Sequence, residues 1–263
     1  MEIIFIPIIL LLMSSLGAVN FYLFVGRQVS IKESFKLVTS ALALNKLLFT
    51  GSGYLVSSFF SRSKNLPFYK TLTVFAFLEF MGNSLWLILG IYFGAKLAIR
   101  VPLALIIILI IFGITFLFKR HKFILFFKNI LQYFKEVGAR IFLILPFTIT
   151  NVFLVVLYYF FLFRFFSFHT GIPSILKIVS VSFTIGYLSP APSGIGFKDT
   201  GLVLLLVREG IDLPGALSIA IWDRLITTFF WISLGGVVGF NLIKEVMKEK
   251  FKIKLKSKES KNL

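Results

Sequence analysis

Long apolar runs separated by short basic stretches set the pattern of the chain. Ile3 to Val25 is an apolar run preceded only by Glu2; it is too long for a secretory signal and lacks a basic leader, so it predicts a first membrane span. Arg27, Lys32, Glu33 and Lys36 follow as a charged loop. Leu37 to Phe60 is again apolar, but Asn45, Lys46 and the run Thr50, Gly51, Ser52, Gly53 interrupt it, which predicts two half-helices instead of one span. A second basic loop holding Arg62, Lys64 and Lys70 leads into an apolar segment from Thr71 to about Ala95 that carries Glu79 and Asn83. Val101 to Phe118 predicts a shorter span.

From Lys119 to Arg140 the period changes. Phe123, Phe127, Ile130, Leu131 and Phe134 recur at helical spacing among Lys119, Arg120, Lys122, Lys128 and Lys135, the pattern of an amphipathic helix lying in the membrane interface. Ile141 to Leu162 is the next span, softened by Pro146, with Arg164 near its end. An interrupted pair follows, Ile172 to Leu188 and Thr200 to Val207. A final span runs from Leu213 to about Ile243 with Asp223 and Arg224 inside it, and the tail from Lys244 is rich in lysine.

The stretch Ile185 to Thr200 breaks the helical pattern at membrane depth. Pro190 and Pro192 each remove a backbone donor and bias the residue before them away from the helix, while Gly194 and Gly196 admit conformations closed to other residues. Broken backbone is tolerated in a bilayer only where protein or a wet cavity surrounds it. A half-helix beginning near Gly196 aims free N–H groups and the positive end of its dipole into the membrane, and Lys198 adds a full charge in its first turn, so the break is an anion site. Phosphate is the obvious anion at that depth. Asp223 and Arg224 are neighbours in sequence and point about 100° apart on a helix, so each needs a partner from another segment, for which Lys198, Asp199, Lys46 and Glu79 are candidates. Such pairs either serve the site or simply fix the fold, and both remain open at this level. The candidate phosphate contacts are Lys198, Arg224, Gly194, Gly196, Ser193 and Lys46; the candidate proton or charge partners are Asp199, Asp223 and Glu79. Lys177, near the end of a half-helix, is expected to snorkel.

Composition agrees with a membrane protein and removes several alternatives. Of the 263 residues 58% are hydrophobic and 34 are Phe, well above the level of about half that soluble domains reach. There is no cysteine, hence no disulfide, thiolate or iron–sulfur chemistry. A net charge of +17 invites a nucleic-acid reading, but the placement of the charges argues against it. If each interrupted segment enters and leaves on one face, the loops around Arg27 and Arg62, the interfacial helix and the tail fall together and carry 3, 3, 6 and 8 basic residues. The other face receives only Lys96, Arg100, Arg164 and Arg208. The positive-inside rule then puts the N-terminus outside and the tail in the cytoplasm. In that arrangement the two halves are inverted copies, each a span, a broken hairpin and a span, the pattern that marks a midplane transport site; the alternative is a pair of kinked helices packed through small residues. The expected architecture is therefore an all-α polytopic helical membrane protein in a single integral membrane domain, residues 1–263. Repeat 1 covers about 3–118, the interfacial helix 119–140, repeat 2 about 141–243 and the basic tail 244–263, and each repeat contains a broken or re-entrant helical hairpin.

The run PAPSGIGFKDTG, followed by REGIDLPGALSIAIWDR and a glycine-containing apolar end, resembles the lysylphosphatidylglycerol synthase transmembrane-region family, clearly over residues 180 to 240 and more weakly from 20 to 100. The family's proline, spaced glycines and basic–acidic pair match Pro192, Gly194, Gly196, Lys198 and Asp199, and its later basic residue matches Arg224. The first half departs from the family: Gly53, Tyr54, Leu55, Val56 and Ser57 stand where a Gly-Glu-Leu-Val-Arg element is usual, so both charges are lost. Of a Glu-Arg and Asp cluster only Glu79 remains, with Phe80 and Asn83 at the other positions. Lys46 is a candidate to replace the lost positive charge.

The resemblance implies a flippase-like membrane domain at the cell membrane, with membrane lipids as partners, either phospholipid or polyprenyl-phosphate-linked. An enzyme is the less favoured class. His121 and His169 stand alone, no two carboxylates share a loop with metal-ligand spacing, and in the family the aminoacyl transfer belongs to a separate soluble domain. No catalytic residue, metal or cofactor is expected, and without a Gly-rich nucleotide loop ending in Gly-Lys-Ser any movement is passive or ion-coupled. The alternative function is a lipid-holding partner subunit of a glycosyltransferase or lipid-modifying enzyme.

Overall fold

The computed structural model of the chain describes residues 2–26, 28–47, 52–61, 66–94, 135, 138, 140–189, 194 and 196–259. The expected span Val101 to Phe118, nearly all of the interfacial segment 119–140, Pro190, Pro192 and the candidate Ser193 lie outside them. Among the described residues there are eight α-helices and no strand, as the hydrophobic pattern requires. In chain order they are α1 (Phe5–Phe24), α2 (Ile31–Leu47), α3 (Ser52–Ser61), α4 (Phe68–Phe93), α5 (Arg140–Phe165), α6 (Ile172–Tyr187), α7 (Phe197–Arg208) and α8 (Leu213–Glu259). A 3-10 turn, Glu2–Ile4, leads into α1.

Four of these helices contain stretches long and apolar enough to cross a membrane: Phe5–Phe24, Phe68–Phe93, Ile144–Phe165 and Leu213–Gly239. The protein is a multi-pass membrane protein on that basis. Pro146 sits inside α5 without ending it, and the helix runs on to Phe165. The arms of the two interrupted segments are different in kind. With 10, 12 and 16 residues, α3, α7 and α6 are each shorter than the roughly 20 residues that a span needs. In each pair the two arms pack against one another as a hairpin.

One helix boundary differs from expectation. The charged stretch Lys32 to Lys36 is not a loop but the first turns of α2. Ser30 Oγ accepts from the Glu33 N–H at 3.2 Å while Glu33 Oε2 accepts from the Ser30 N–H at 3.1 Å, a reciprocal cap that satisfies two otherwise free donors. In α8 the apolar span closes at Gly239, near the expected Ile243, and the helix continues past it to Glu259, because Lys, Glu and Leu are good helix formers and no glycine or proline interrupts them there.

The described chain divides into two compact units, Met1–Leu10 with Glu79–Arg224, and Leu11–Leu78 with Leu225–Leu263. In the first, Phe5 stacks on Phe161, and Gly90 of α4 lies so close to α6 that a Cβ there would collide with Thr184 Oγ1 and approach Ser180 O to 2.7 Å. Thr184 Oγ1 donates to Trp86 O at 3.2 Å across the same contact. In the second, Gly235 of α8 meets Ala43 and the Thr39 carbonyl of α2, and Gly239 meets Ser40. Both contacts are the close, small-residue packing that replaces the hydrophobic effect between helices in lipid.

Candidate functional site

The second hairpin breaks where the glycines stand. Gly194 has φ 63° and Gly196 φ 82°, left-handed conformations that side chains rarely adopt, so the chain reverses there and α7 begins at Phe197. The Gly196 N–H, one of the free donors at the start of α7, is accepted by Asp199 Oδ2 at 3.1 Å. Gly186 of α6 lets α7 come close: a Cβ on it would lie 2.9 Å from Lys198 Cβ, and a Cβ on Gly194 would lie 3.0 Å from the Gly186 backbone. Hairpin packing thus places Lys198 and Asp199 in the first turn of α7.

Four charged side chains gather here as two crossed pairs. Lys198 Nζ lies 3.0 Å from Asp223 Oδ2, and Arg224 Nη2 lies 2.5 Å from Asp199 Oδ2. Neighbours on α7 therefore pair with neighbours on α8, which meets the requirement that adjacent Asp223 and Arg224 find partners elsewhere. Asp223 is the most buried member at 1% exposure, against 19% for Lys198. The Arg224–Asp199 pair is about a quarter exposed on each side, at 27% and 24%. Asp199 Oδ1 is buried with no hydrogen-bond partner among the described residues.

An aromatic shell encloses the deeper pair. From α5, Tyr158 Oη donates to Asp223 Oδ1 at 2.9 Å and Tyr159 Oη to Asp223 Oδ2 at 3.1 Å. Lys198 Nζ stands 4.6 Å from the ring centroid of Phe183 and 5.8 Å from that of Tyr159. Ring faces attract a desolvated cation, so Lys198 has favourable surroundings besides its carboxylate. The two tyrosines went unremarked in the sequence, being part of the aromatic run Tyr158 to Phe161. The usable signal was that a buried phenol hydroxyl needs a partner, and these are two adjacent hydroxyls in a run otherwise of Phe.

The other candidates are placed differently. Glu79, on α4 in the same unit, receives a hydrogen bond from Asn83 Nδ2 at 3.2 Å one turn further on. Lys46 lies in the last turn of α2 and belongs to the second unit. Lys177 does not merely snorkel. It pairs with Glu209 at 2.7 Å, joining α6 to the end of α7, a partner overlooked because Glu209 reads as a loop residue.

Comparison with protein families matches residues 2–235 to the family described as lysylphosphatidylglycerol synthase TM region. No match is found among curated proteins or solved structures. The matched stretch takes in both hairpins and all four charges of the crossed pairs, and it covers residues 20 to 100, where the resemblance is weaker, as well as 180 to 235. The chain belongs to the lysylphosphatidylglycerol synthase TM region family.

Proposed function

We propose that the protein binds the phosphate of an amphipathic lipid at the start of α7 and passes that lipid between the leaflets of the cell membrane, acting as a transporter and not as an enzyme. The observation that carries this is the crossed pairing of Lys198 with Asp223 and of Arg224 with Asp199. Ion pairs taken out of water are a poor way to gain stability, since well-packed apolar residues of similar volume often do better. Charges kept inside membrane segments generally mark a pathway for a polar substrate. Here two cations meet the positive end of a short helix, where an entering phosphate finds fixed donors in place of water and a lower barrier to crossing. Asp199 and Asp223 hold the cations while the site is empty and compete with phosphate when it is full. That competition keeps binding weak enough for release.

The same proposal includes two inverted repeats, with the N-terminus outside and the tail in the cytoplasm. Its support is a matched spacing: 145 positions separate Phe68 from Leu213, Gly90 from Gly235 and Gly94 from Gly239. In each half the first glycine packs on the first arm of the hairpin from the other half, Gly90 on α6 and Gly235 on α2. Cysteine labelling is expected to place positions beside Arg62 and Lys128 in the cytoplasm and a position beside Lys96 outside. Arg62 and Lys128 on opposite faces would end the inverted arrangement.

Lipid exchange by the purified protein in vesicles tests the transport itself and separates it from a subunit that only holds lipid for a partner enzyme. Lys198→Ala with Arg224→Ala is expected to abolish exchange by a folded protein, while Lys177→Ala changes it little. The variant Arg224→Gln, Asp199→Asn keeps a polar contact without charge and serves where the double alanine variant does not fold; it too is expected to be slow. Unchanged exchange in either folded variant would refute the proposal.

A further inference from the structure

We infer that Asp199 is a proton-binding residue of the lipid site: it takes up one proton as a lipid phosphate settles beside Arg224, so that the anionic lipid and the proton cross together as a neutral load. This rests on the lipid-phosphate reading above and adds to it what accompanies the lipid. The two carboxylates of the crossed pairs are unequal. Asp223 accepts from Lys198 and Tyr159 on Oδ2 and from Tyr158 on Oδ1, and hydrogen bonds to the charged form keep a carboxylate charged. Asp199 gathers both of its donors, the Gly196 N–H and Arg224 Nη2, on Oδ2 alone, while Oδ1 is buried and has no partner among the described residues. A proton added at Oδ1 meets no competing donor.

A phosphodiester entering at the start of α7 brings a second negative charge to a guanidinium that Asp199 already faces. Two like charges sharing one site do not both stay ionised, and the weaker acid is the one protonated. A phosphodiester is a much stronger acid than a carboxyl group, so the proton goes to Asp199. The step follows from the added charge and holds whether Arg224 stays with Asp199 or turns to the phosphate. Among the described residues, the neighbouring titratable groups leave Asp199 as the acceptor. Lys198 on α7 and Arg224 on α8 are cations, and Tyr158 and Tyr159 of α5 already donate their hydroxyl protons to Asp223. On α6, Lys177 is tied to Glu209 at the far end of the hairpin, and Tyr187 closes the helix with its ring against Phe183. Asp199 is also the carboxylate that protons reach, at 24% exposure against 1% for Asp223. Once protonated, it changes from a competitor for Arg224 into a donor, for which phosphate oxygens are acceptors. The site then carries the same net charge empty and loaded, so no net charge is added to the low-dielectric interior. Release of the proton restores the competition and expels the lipid.

The test counts protons separately from lipid. Short-chain phosphatidylglycerol is titrated into the detergent-solubilised protein by calorimetry in two buffers of unequal ionisation heat, which gives the protons taken up per lipid bound. Wild type is expected to take up about one proton per lipid at neutral pH. Asp199→Asn is expected to bind lipid with no uptake, and Asp199→Glu, which restores a carboxyl, to recover the uptake. A second measurement needs only the wild type. In vesicles with a pH difference and no membrane potential, coupled movement gathers phosphatidylglycerol in the leaflet facing the more alkaline side, by up to about tenfold per pH unit relative to protein-free vesicles. Uncoupled movement leaves it evenly distributed. Lipid bound without proton uptake, uptake undiminished in a folded Asp199→Asn, or an even distribution across the pH difference overturns the inference and leaves the lipid-phosphate reading standing. Wild type that neither binds nor moves phosphatidylglycerol sinks both.

Discussion

The two hairpins are built to a similar plan from opposite materials. In the second, α6 and α7 bring a lysine and an aspartate into a cluster of charges, and each charge finds an opposite one. In the first, α2 and α3 are joined by contacts between neutral groups: Asn45 Oδ1 accepts the Gly53 N–H at 2.8 Å, and Ser52 Oγ donates to Leu44 O at 3.3 Å. Counting 145 positions back from Lys198, Asp199, Asp223 and Arg224 gives Gly53, Tyr54, Leu78 and Glu79, which retain one charge, of reversed sign. Buried hydroxyls at Ser14, Ser40 and Ser57 lie in the unit of the first hairpin without partners among the described residues. The contrast teaches that contacts between neutral groups can join the arms of a broken hairpin in lipid. Charge at the second hairpin therefore has to be explained by something other than the break itself, which is why the lipid phosphate is assigned there and not to both.

The largest effect that sharpens this contrast is expected at Asp223. Asp223→Ala leaves Lys198 without its carboxylate and strands two buried phenols, and removal of one member of a buried pair costs about 3–5 kcal/mol. The measurement is thermal or denaturant unfolding in detergent. Adding Lys198→Ala removes the orphaned cation and is expected to restore much of the loss, because the cost lies in the uncompensated charge and not in the missing contact. A double variant as unstable as the single would mean that the carboxylate acts through the tyrosines alone.

Much of the second hairpin was legible because its signals are stereochemical. Gly194 and Gly196 announced left-handed turns, Lys198 and Asp199 fell just inside the next helix, and the adjacency of Asp223 and Arg224 forced a search for partners on another segment. What stayed hidden depended on contacts between residues far apart in sequence. Tyr158 and Tyr159 look like lining in a chain with 34 Phe and 8 Tyr, and only their meeting with Asp223, more than 60 positions on, gives them a role. Charge was misleading in one place. Lys32, Glu33 and Lys36 suggested a loop although Ser30 and Glu33 formed a helix cap. There the charges sit on a helix that extends past the apolar run, a pattern that hydropathy alone cannot separate from a loop.

The smaller effect lies in the first hairpin, at Gly53, 145 positions before Lys198. Gly53 is fully enclosed by α2: a Cβ on it would collide with the Ala41 carbonyl and lie 2.9 Å from Asn45 Oδ1, the atom that accepts its N–H. Backbone cannot move aside as a flexible side chain can. Gly53→Ala must therefore part the two arms or give up the Asn45 bond, and overpacking of this kind typically costs about 1–3 kcal/mol. Unfolding measurements should show that loss while lipid exchange per folded molecule stays at the wild-type level. Lys198→Ala is expected to lower exchange per folded molecule strongly while leaving the approach of α6 and α7 little changed, because Gly186 and not the lysine head sets how closely they pack. If Gly53→Ala lowers exchange as strongly as Lys198→Ala does, the first hairpin takes part in binding the lipid, and the division into one hairpin that binds and one that supports is wrong.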